Sequence, residues 1–233
     1  MSSRLHTYTM KRSLRFVGGV LFLLGITLGI SWIIIHMFTI KDVVVDGPGM
    51  TIQLDKEKFG KNLLFLPVST LRQQLLSTYP LLNDVRFERK FPNTLIVHLE
   101  RRSAYALLLS AGNSYAIDAY GLVLGSIEYT ESYPVLRFEI GILPIGSRIK
   151  DDRVEAGLSF LRGMAGHASV RSIEVRDTHS IQAKMDNTNI FLPQTGDLSA
   201  KADTLQIIME GFRMKGTLPT VIDLRHEKPI ITN

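Results

Sequence analysis

The 233-residue sequence contains no cysteine, which excludes disulfides, thiolate metal sites and cysteine nucleophiles but fixes no compartment. Its six histidines (His6, His36, His98, His167, His179, His226) show no HxxxH or other ligand spacing, so no metal is expected. His98 alternates onto the polar side of a strand pattern and reads as solvent-exposed. The glycine patterns that cradle phosphate are absent: there is neither a GxGxxG nor a Walker-type loop. Ser159 in "GLSFL" lacks the second glycine of a nucleophile elbow and sits in an ordinary helical pattern. Asp151-Asp152 reads as a helix cap rather than a catalytic carboxylate pair. "ERR" (Glu100–Arg102), at a strand end, reads as a solvated domain boundary. No internal repeat or low-complexity tract is present. The expectation is no catalytic residue, no cofactor and no small-molecule substrate.

Acidic residues are missing from one place in particular. Residues 1–15 carry Arg4, Lys11, Arg12 and Arg15 with no acid, a local charge of +4. That leaves 23 basic against 22 acidic residues, so the formal +5 of the chain is almost wholly a property of its tail. A basic face for nucleic acid is therefore not expected.

Charge of either sign is absent from Phe16–Ile35, "FVGGVLFLLGITLGISWIII", and the uncharged run continues to Ile40. Twenty residues at about 1.5 Å each span the roughly 30 Å hydrocarbon core of a bilayer. A cleaved signal peptide competes with this reading, but its apolar region is usually about 7–15 residues and ends in a small-x-small site. Here the run is longer and ends in "IHMFTIKD", so an uncleaved anchor over 16–38 is expected, with Trp32 and His36 at the outer interface. The positive-inside rule keeps the short basic tail in the cytoplasm and sends residues from Lys41 onward outside. Gly18, Gly25 and Gly29 share one helix face, a groove that would admit a second helix closely, but glycine is common in membrane helices and chance spacing is the better explanation.

Beyond the anchor, "IKDVVVDG" (40–47) reads as a strand ending at a glycine turn. "FGKNLLFLP" (59–67) is a short helical or looped stretch. Ser69 is placed to cap "TLRQQLLSTY", where Leu71, Leu75 and Tyr79 recur at helical spacing until Pro80 stops the helix. From Val85 to Leu107, "VRFERKFPNTLIVHLERRSAYAL" alternates apolar and polar residues around Phe91-Pro92-Asn93. That period of two predicts a hairpin with one buried and one wet face. The expected unit is β-α-α-β-β, a three-stranded sheet with helices on one side.

A second domain begins near Ser103. "SYAIDAYGLVL" predicts two short strands around the turn Asp118-Ala-Tyr-Gly121, where glycine can take positive φ. "YPVLRFEI" is a further strand. Asp151 or Asp152 caps a helix carrying Val154, Leu158 and Leu161 on one side. "VRSIEVRD" and "SIQAKMDNTNIFLP" return to strand alternation. Asp197 opens a helix with the stripe Ala202, Leu205, Ile208, Met209 and Phe212, and "TVIDLRHEKPIIT" (220–232) closes as a strand. The domain should be mostly antiparallel β with two helices.

Taken in order, the basic tail, single anchor, Val43/Val45/Gly47, Gly60-Lys-Asn62-Leu63, Pro80, Val85, "FPNTLIVHLERRSAYAL", "IDAYG" and "VIDLRHEKPI" resemble the FtsQ/DivIB cell-division proteins. The likeness runs along nearly the whole chain. It departs at Ser103, where the family often has proline, and at His226, where an aromatic residue commonly follows Asp-Leu-Arg. The resemblance implies four regions: a cytoplasmic tail (1–15), an anchor (16–38), a POTRA domain (39–102) and a β domain (103–233). It implies a non-enzymatic scaffold in the plasma membrane at the division septum. The partners implied are small bitopic coiled-coil proteins of the FtsB/DivIC and FtsL type and, through them, the septal peptidoglycan synthesis enzymes. Two other classes stay open: an anchored envelope enzyme such as a cell-wall hydrolase, and a POTRA-bearing transport adaptor, which would usually carry several such units and lead into a barrel.

An edge strand leaves one row of N–H and C=O groups free to pair with an incoming segment. The C-terminal strand, with Leu224, Arg225, His226, Glu227, Lys228, Pro229 and Ile230, is the candidate partner-binding site on that ground, and the resemblance points to the same region. The alternative is that this strand merely completes the core.

Overall fold

The computed structural model describes residues 3–47, 62–166 and 170–232. The chain forms two compact units, Met1–Arg101 and Arg102–Asn233.

The first unit opens with α1 (Ser3–Met37). Its stretch Gly19–Met37 is long and apolar enough to cross a membrane, and none of it is buried against protein. Gly25 and Gly29 have open space where a side chain would project; the surroundings of Gly18 lie outside the described residues. The last turn of the helix is tied to residues further along the unit. Asn62 Nδ2 donates to the Ile35 carbonyl at 3.2 Å, Thr39 Oγ1 donates to the same oxygen at 2.8 Å, and the Leu63 N–H donates to the Phe38 carbonyl at 2.8 Å. These bonds satisfy carbonyls that a helix end leaves without partners. They also explain why Asn62 and Leu63 stand together: one caps the helix and the other, fully buried, enters the core of the unit.

Three strands come next: β1 (Asp42–Asp46), β2 (Leu82–Lys90) and β3 (Thr94–Arg101), in spatial order β1-β3-β2. β2 and β3 are the expected antiparallel hairpin, with Val85 opposite Leu99 and Phe87 opposite Val97. β1 runs parallel to β3. The buried face carries Leu82, Val85, Leu95, Val97 and Leu99, and α2 (Val68–Thr78) covers it through Leu71, with Leu75, Leu76 and Tyr79 packed around. Ser69 does not cap α2. The helix starts at Val68, two residues before the expected Thr70, Pro67 stands at the cap position, and no side chain bonds the first turn; proline at this boundary already supplies a φ suited to helix entry. Residues 62–67 form a turn, and the stretch Phe59–Lys61 lies outside the described residues.

The second unit is one nine-stranded sheet with two helices. Its strands are β4 (Ala106–Ser110), β5 (Asn113–Ile117), β6 (Val123–Ser126), β7 (Val135–Arg137), β8 (Ser172–Val175), β9 (Ser180–Met185), β10 (Thr188–Pro193), β11 (Val221–Asp223) and β12 (Ile230–Thr232). The order is β12-β11-β10-β9-β8-β7-β4-β5-β6. Five of the eight pairings are antiparallel; β4–β7, β7–β8 and β10–β11 are parallel. α3 (Asp152–Met164) lies on the sheet at Gly157, where an added side chain would press on Leu136 and Ile173. α4 (Ser199–Met214) crosses α3 at Gly163, beneath Ala202. Asp151 caps α3 by accepting the N–H groups of Arg153 and Val154, as expected. Asp197 accepts the N–H of Ser199 at 2.9 Å. The "IDAYG" turn is held by buried Asp118, whose carboxylate accepts the N–H groups of Tyr120 and Leu122 and a guanidinium bond from Arg102. Gly121 there has φ +76°, a conformation that favours glycine.

Candidate functional site

The C-terminal residues do not make one strand. The chain runs as β11, bends through Leu224–Pro229, and returns as β12, which pairs antiparallel with β11: Asp223 opposite Ile230, Ile222 opposite Ile231, Val221 opposite Thr232. Three local causes break the strand after Asp223. Leu224 turns into the core, 1% exposed, with its N–H on the Phe191 carbonyl at 2.8 Å. Arg225 folds back on Asp223, donating from Nε and Nη2 to the two carboxylate oxygens at 3.0 and 2.6 Å. Pro229 lacks an N–H for a ladder.

The seven candidate residues therefore separate. Leu224 is a core residue and cannot meet a partner. Arg225 is committed to Asp223, and that guanidinium holds the Asp223 carboxyl below the usual carboxylate range. Its guanidinium also faces the Phe191 ring at 5.9 Å, while Arg176 stacks on that ring at 3.6 Å. The His226 carbonyl accepts Lys201 Nζ of α4 at 2.8 Å, which fixes the bend without using the imidazole. His226, Glu227 and Lys228 are exposed along the bend. Of the seven, only Ile230 lies on the edge strand.

β12 is the outermost strand at this end of the sheet, so its outer row of backbone groups has no strand partner among the described residues. Ile230 is 57% and Ile231 39% exposed. A short apolar edge of this kind can receive one extended segment. The flanking charges of Glu227 and Lys228 discourage indiscriminate pairing. Ile231 and Thr232, absent from the sequence-based set, form the rest of this edge strand; the signal was the β-branched run after Pro229.

Elsewhere the chemistry is structural. Ser159 is buried, its Oγ donating to the Ala156 carbonyl and accepting the Leu198 N–H that starts α4. A cavity of about 630 Å³ in the second unit is walled by Tyr105, Tyr129, Tyr133, Leu161 and Met164, with Arg171 and Asp186 paired at 3.7 Å. His98 is more engaged than its polar-face position implied. Its Nδ1 lies 3.0 Å from Asp46 on β1 and its Nε2 3.0 Å from Glu88 on β2, so it links all three strands. Hydrogen bonds to Glu88 and Asp46 raise its pKa above the ordinary histidine value. Among the described residues no cluster of His, Asp and Glu could hold a metal ion.

Residues 38–102 match the family model described as "POTRA domain, FtsQ-type". The chain is similar to the cell division protein DivIB of Clostridium tetani, with 21% identity over 166 residues that cover 66% of this chain and 62% of that protein. The match thus spans somewhat less than two thirds of the relative's length. Residues 38–102 thus form an FtsQ-type POTRA unit, which follows a membrane-length helix and precedes a β-rich unit, and the chain is similar to the FtsQ/DivIB proteins.

Proposed function

We propose that this protein is a non-enzymatic, single-pass scaffold of the bacterial division machinery, divided into a cytoplasmic tail (1–15), an anchor (16–38), a POTRA domain (39–102) and a β domain (103–233). The basic tail before α1 supports a cytoplasmic N-terminus, which carries both folded units outside the membrane. The observation that carries the proposal is the open β12 edge with its exposed Ile230 and Ile231. Such an edge recruits by adding a strand: backbone bonds supply affinity and neighbouring side chains supply choice. The segment it takes comes from a small bitopic coiled-coil division protein of the FtsB/DivIC type, with an FtsL-type partner beside it. Those proteins in turn connect to the septal peptidoglycan synthesis enzymes. The name of the Clostridium tetani relative supports the setting.

The test is depletion of the protein in its own cells. Long filaments without septa, rescued by the full chain, are expected; normal division would sink the assignment. A reporter active only outside the cytoplasm, fused after Asn233, should be active, whereas a soluble shortened chain would overturn the anchor.

A further inference from the structure

We infer that the membrane-proximal end of the first unit is itself a lipid-binding surface, with Phe65, Phe91 and Leu64 seated in the outer headgroup layer beside α1. The inference rests on α1 spanning the membrane. Phe91 is 55%, Phe65 75% and Leu64 37% exposed, although the unit has a closed core of its own. All three sit where the unit joins the helix. Phe91 occupies the β2–β3 turn, and its ring packs edge-on against Phe38 with centroids 5.6 Å apart. Phe38 continues the last turn of α1, its N–H on the Ile34 carbonyl. Leu64 and Phe65 directly follow Asn62 and Leu63, which bond the helix end.

The distances place these rings in the interface. Gly19–Met37 is 19 residues, about 28 Å of helix at about 1.5 Å per residue, close to the roughly 30 Å hydrocarbon core. The headgroup layer adds roughly 5–8 Å on each side. A ring 5.6 Å from Phe38 cannot leave that layer while α1 spans. Aromatic side chains favour this depth. Exposed Lys90 precedes Phe91 and exposed Lys41 lies just beyond the helix, with its N–H on the Asn93 carbonyl. Asp42 offsets one of these charges, and Arg89 leans on the Leu66 carbonyl. The local surface is therefore apolar with a mild positive rim, which suits zwitterionic and anionic phospholipid headgroups. Two long-range hydrogen bonds to the helix end, from Asn62 to the Ile35 carbonyl and from Leu63 to the Phe38 carbonyl, keep this surface from swinging away.

The absence of cysteine makes the test direct. Single variants Phe65→Cys, Phe91→Cys, Leu28→Cys and Arg101→Cys of the full chain carry a nitroxide in vesicles of 3:1 zwitterionic to anionic phospholipid. Relaxation by oxygen and by a water-soluble nickel chelate is then compared. Arg101 lies seven residues beyond the turn along β3, about 23 Å at roughly 3.3 Å per residue, and serves as the aqueous reference. Oxygen should outweigh the chelate several-fold at 65 and 91, and the order should reverse at 101. Equal chelate access at 65, 91 and 101, with position 28 still in lipid, would overturn the seating while leaving the anchor intact. Shielding of 65 and 91 from both reagents would mean a protein cover and would equally overturn it. Phe91→Trp in a Trp32→Phe background, read by quenching from brominated lipid, repeats the measurement without a label: strong quenching supports the seating and unquenched emission refutes it.

Discussion

Ending the chain after Lys228 removes β12 and should abolish capture of the partner while leaving the β domain folded. The size of the effect comes from the edge. Three residues, Ile230–Thr232, present about three outward N–H or C=O groups, each worth about 0.5–1.5 kcal/mol net when paired. Ile230 and Ile231 keep 57% and 39% of their surface in water, so covering both adds about 2 kcal/mol. The sum is roughly 3.5–6.5 kcal/mol, or about two and a half to four and a half decades of affinity. Ile230→Ala alone should cost about 1 kcal/mol, about fivefold. His226→Ala and Lys228→Ala, on the rim, should cost less than this. The assay is titration of the solubilised full chain with the purified coiled-coil protein, with amide dispersion as the check on folding. Undiminished affinity in a folded truncation would refute the edge mechanism. So would loss of binding in His226→Ala with the truncation still active, since that pattern means side-chain recognition at the bend.

Other expectations concern stability and are read by thermal or denaturant unfolding. Gly163→Ala would place a methyl 2.6 Å from Ala202 Cβ at the α3–α4 crossing and should destabilise by about 1–3 kcal/mol. Gly211→Ala in α4 meets nothing within 4 Å and should stabilise by about 0.5–1 kcal/mol, so equal signs for the pair would contradict the packing described. His98 has a raised folded pKa, so its support of the first unit is complete below its ordinary value of 6.5 and fades as pH rises through the raised one. The stability gap between wild type and His98→Gln should accordingly narrow as pH climbs; a constant gap would mean the imidazole does not act through charge. Asp151→Ala should cost about 1 kcal/mol for the lost cap. Because Arg153 holds the Asp151 carboxyl below its ordinary 3.8, that contribution is present above pH 4 and is lost as pH falls through the depressed value.

The elements readable in the sequence were those whose signal is local. An uncharged run marked α1, strict alternation marked β2 and β3, and an aspartate before a helical stripe marked the start of α3. The misreadings came from competition at a boundary or from long-range pairing. Ser69 looked like a cap because serine favours that position, but Pro67 had already opened the helix. Residues Thr220–Thr232 looked like one strand because apolar residues flank the charged stretch on both sides. Nothing local reveals that Arg225 would clamp Asp223 or that Leu224 would be drawn under Phe191. The parallel pairings of β1 with β3 and β10 with β11 depend on segments far apart in the chain. For the same reason the link of His98 to Asp46 was invisible: 52 residues separate them. The C-terminal region was thus legible as a region and not as a surface: of the expected Leu224–Ile230 only Ile230 lies on the open edge, which is formed by Ile230–Thr232.

The central claim is that β12 receives an extended segment of a bitopic division protein, and photo-crosslinking in dividing cells tests it most directly. A photoreactive residue placed at Ile231 should yield one dominant adduct, to a small single-pass coiled-coil protein, with crosslinked peptides at consecutive positions of that partner pairing in register with 230–232. No adduct at Ile231 under conditions where a residue at Lys228 or elsewhere on the chain crosslinks that same protein would contradict it.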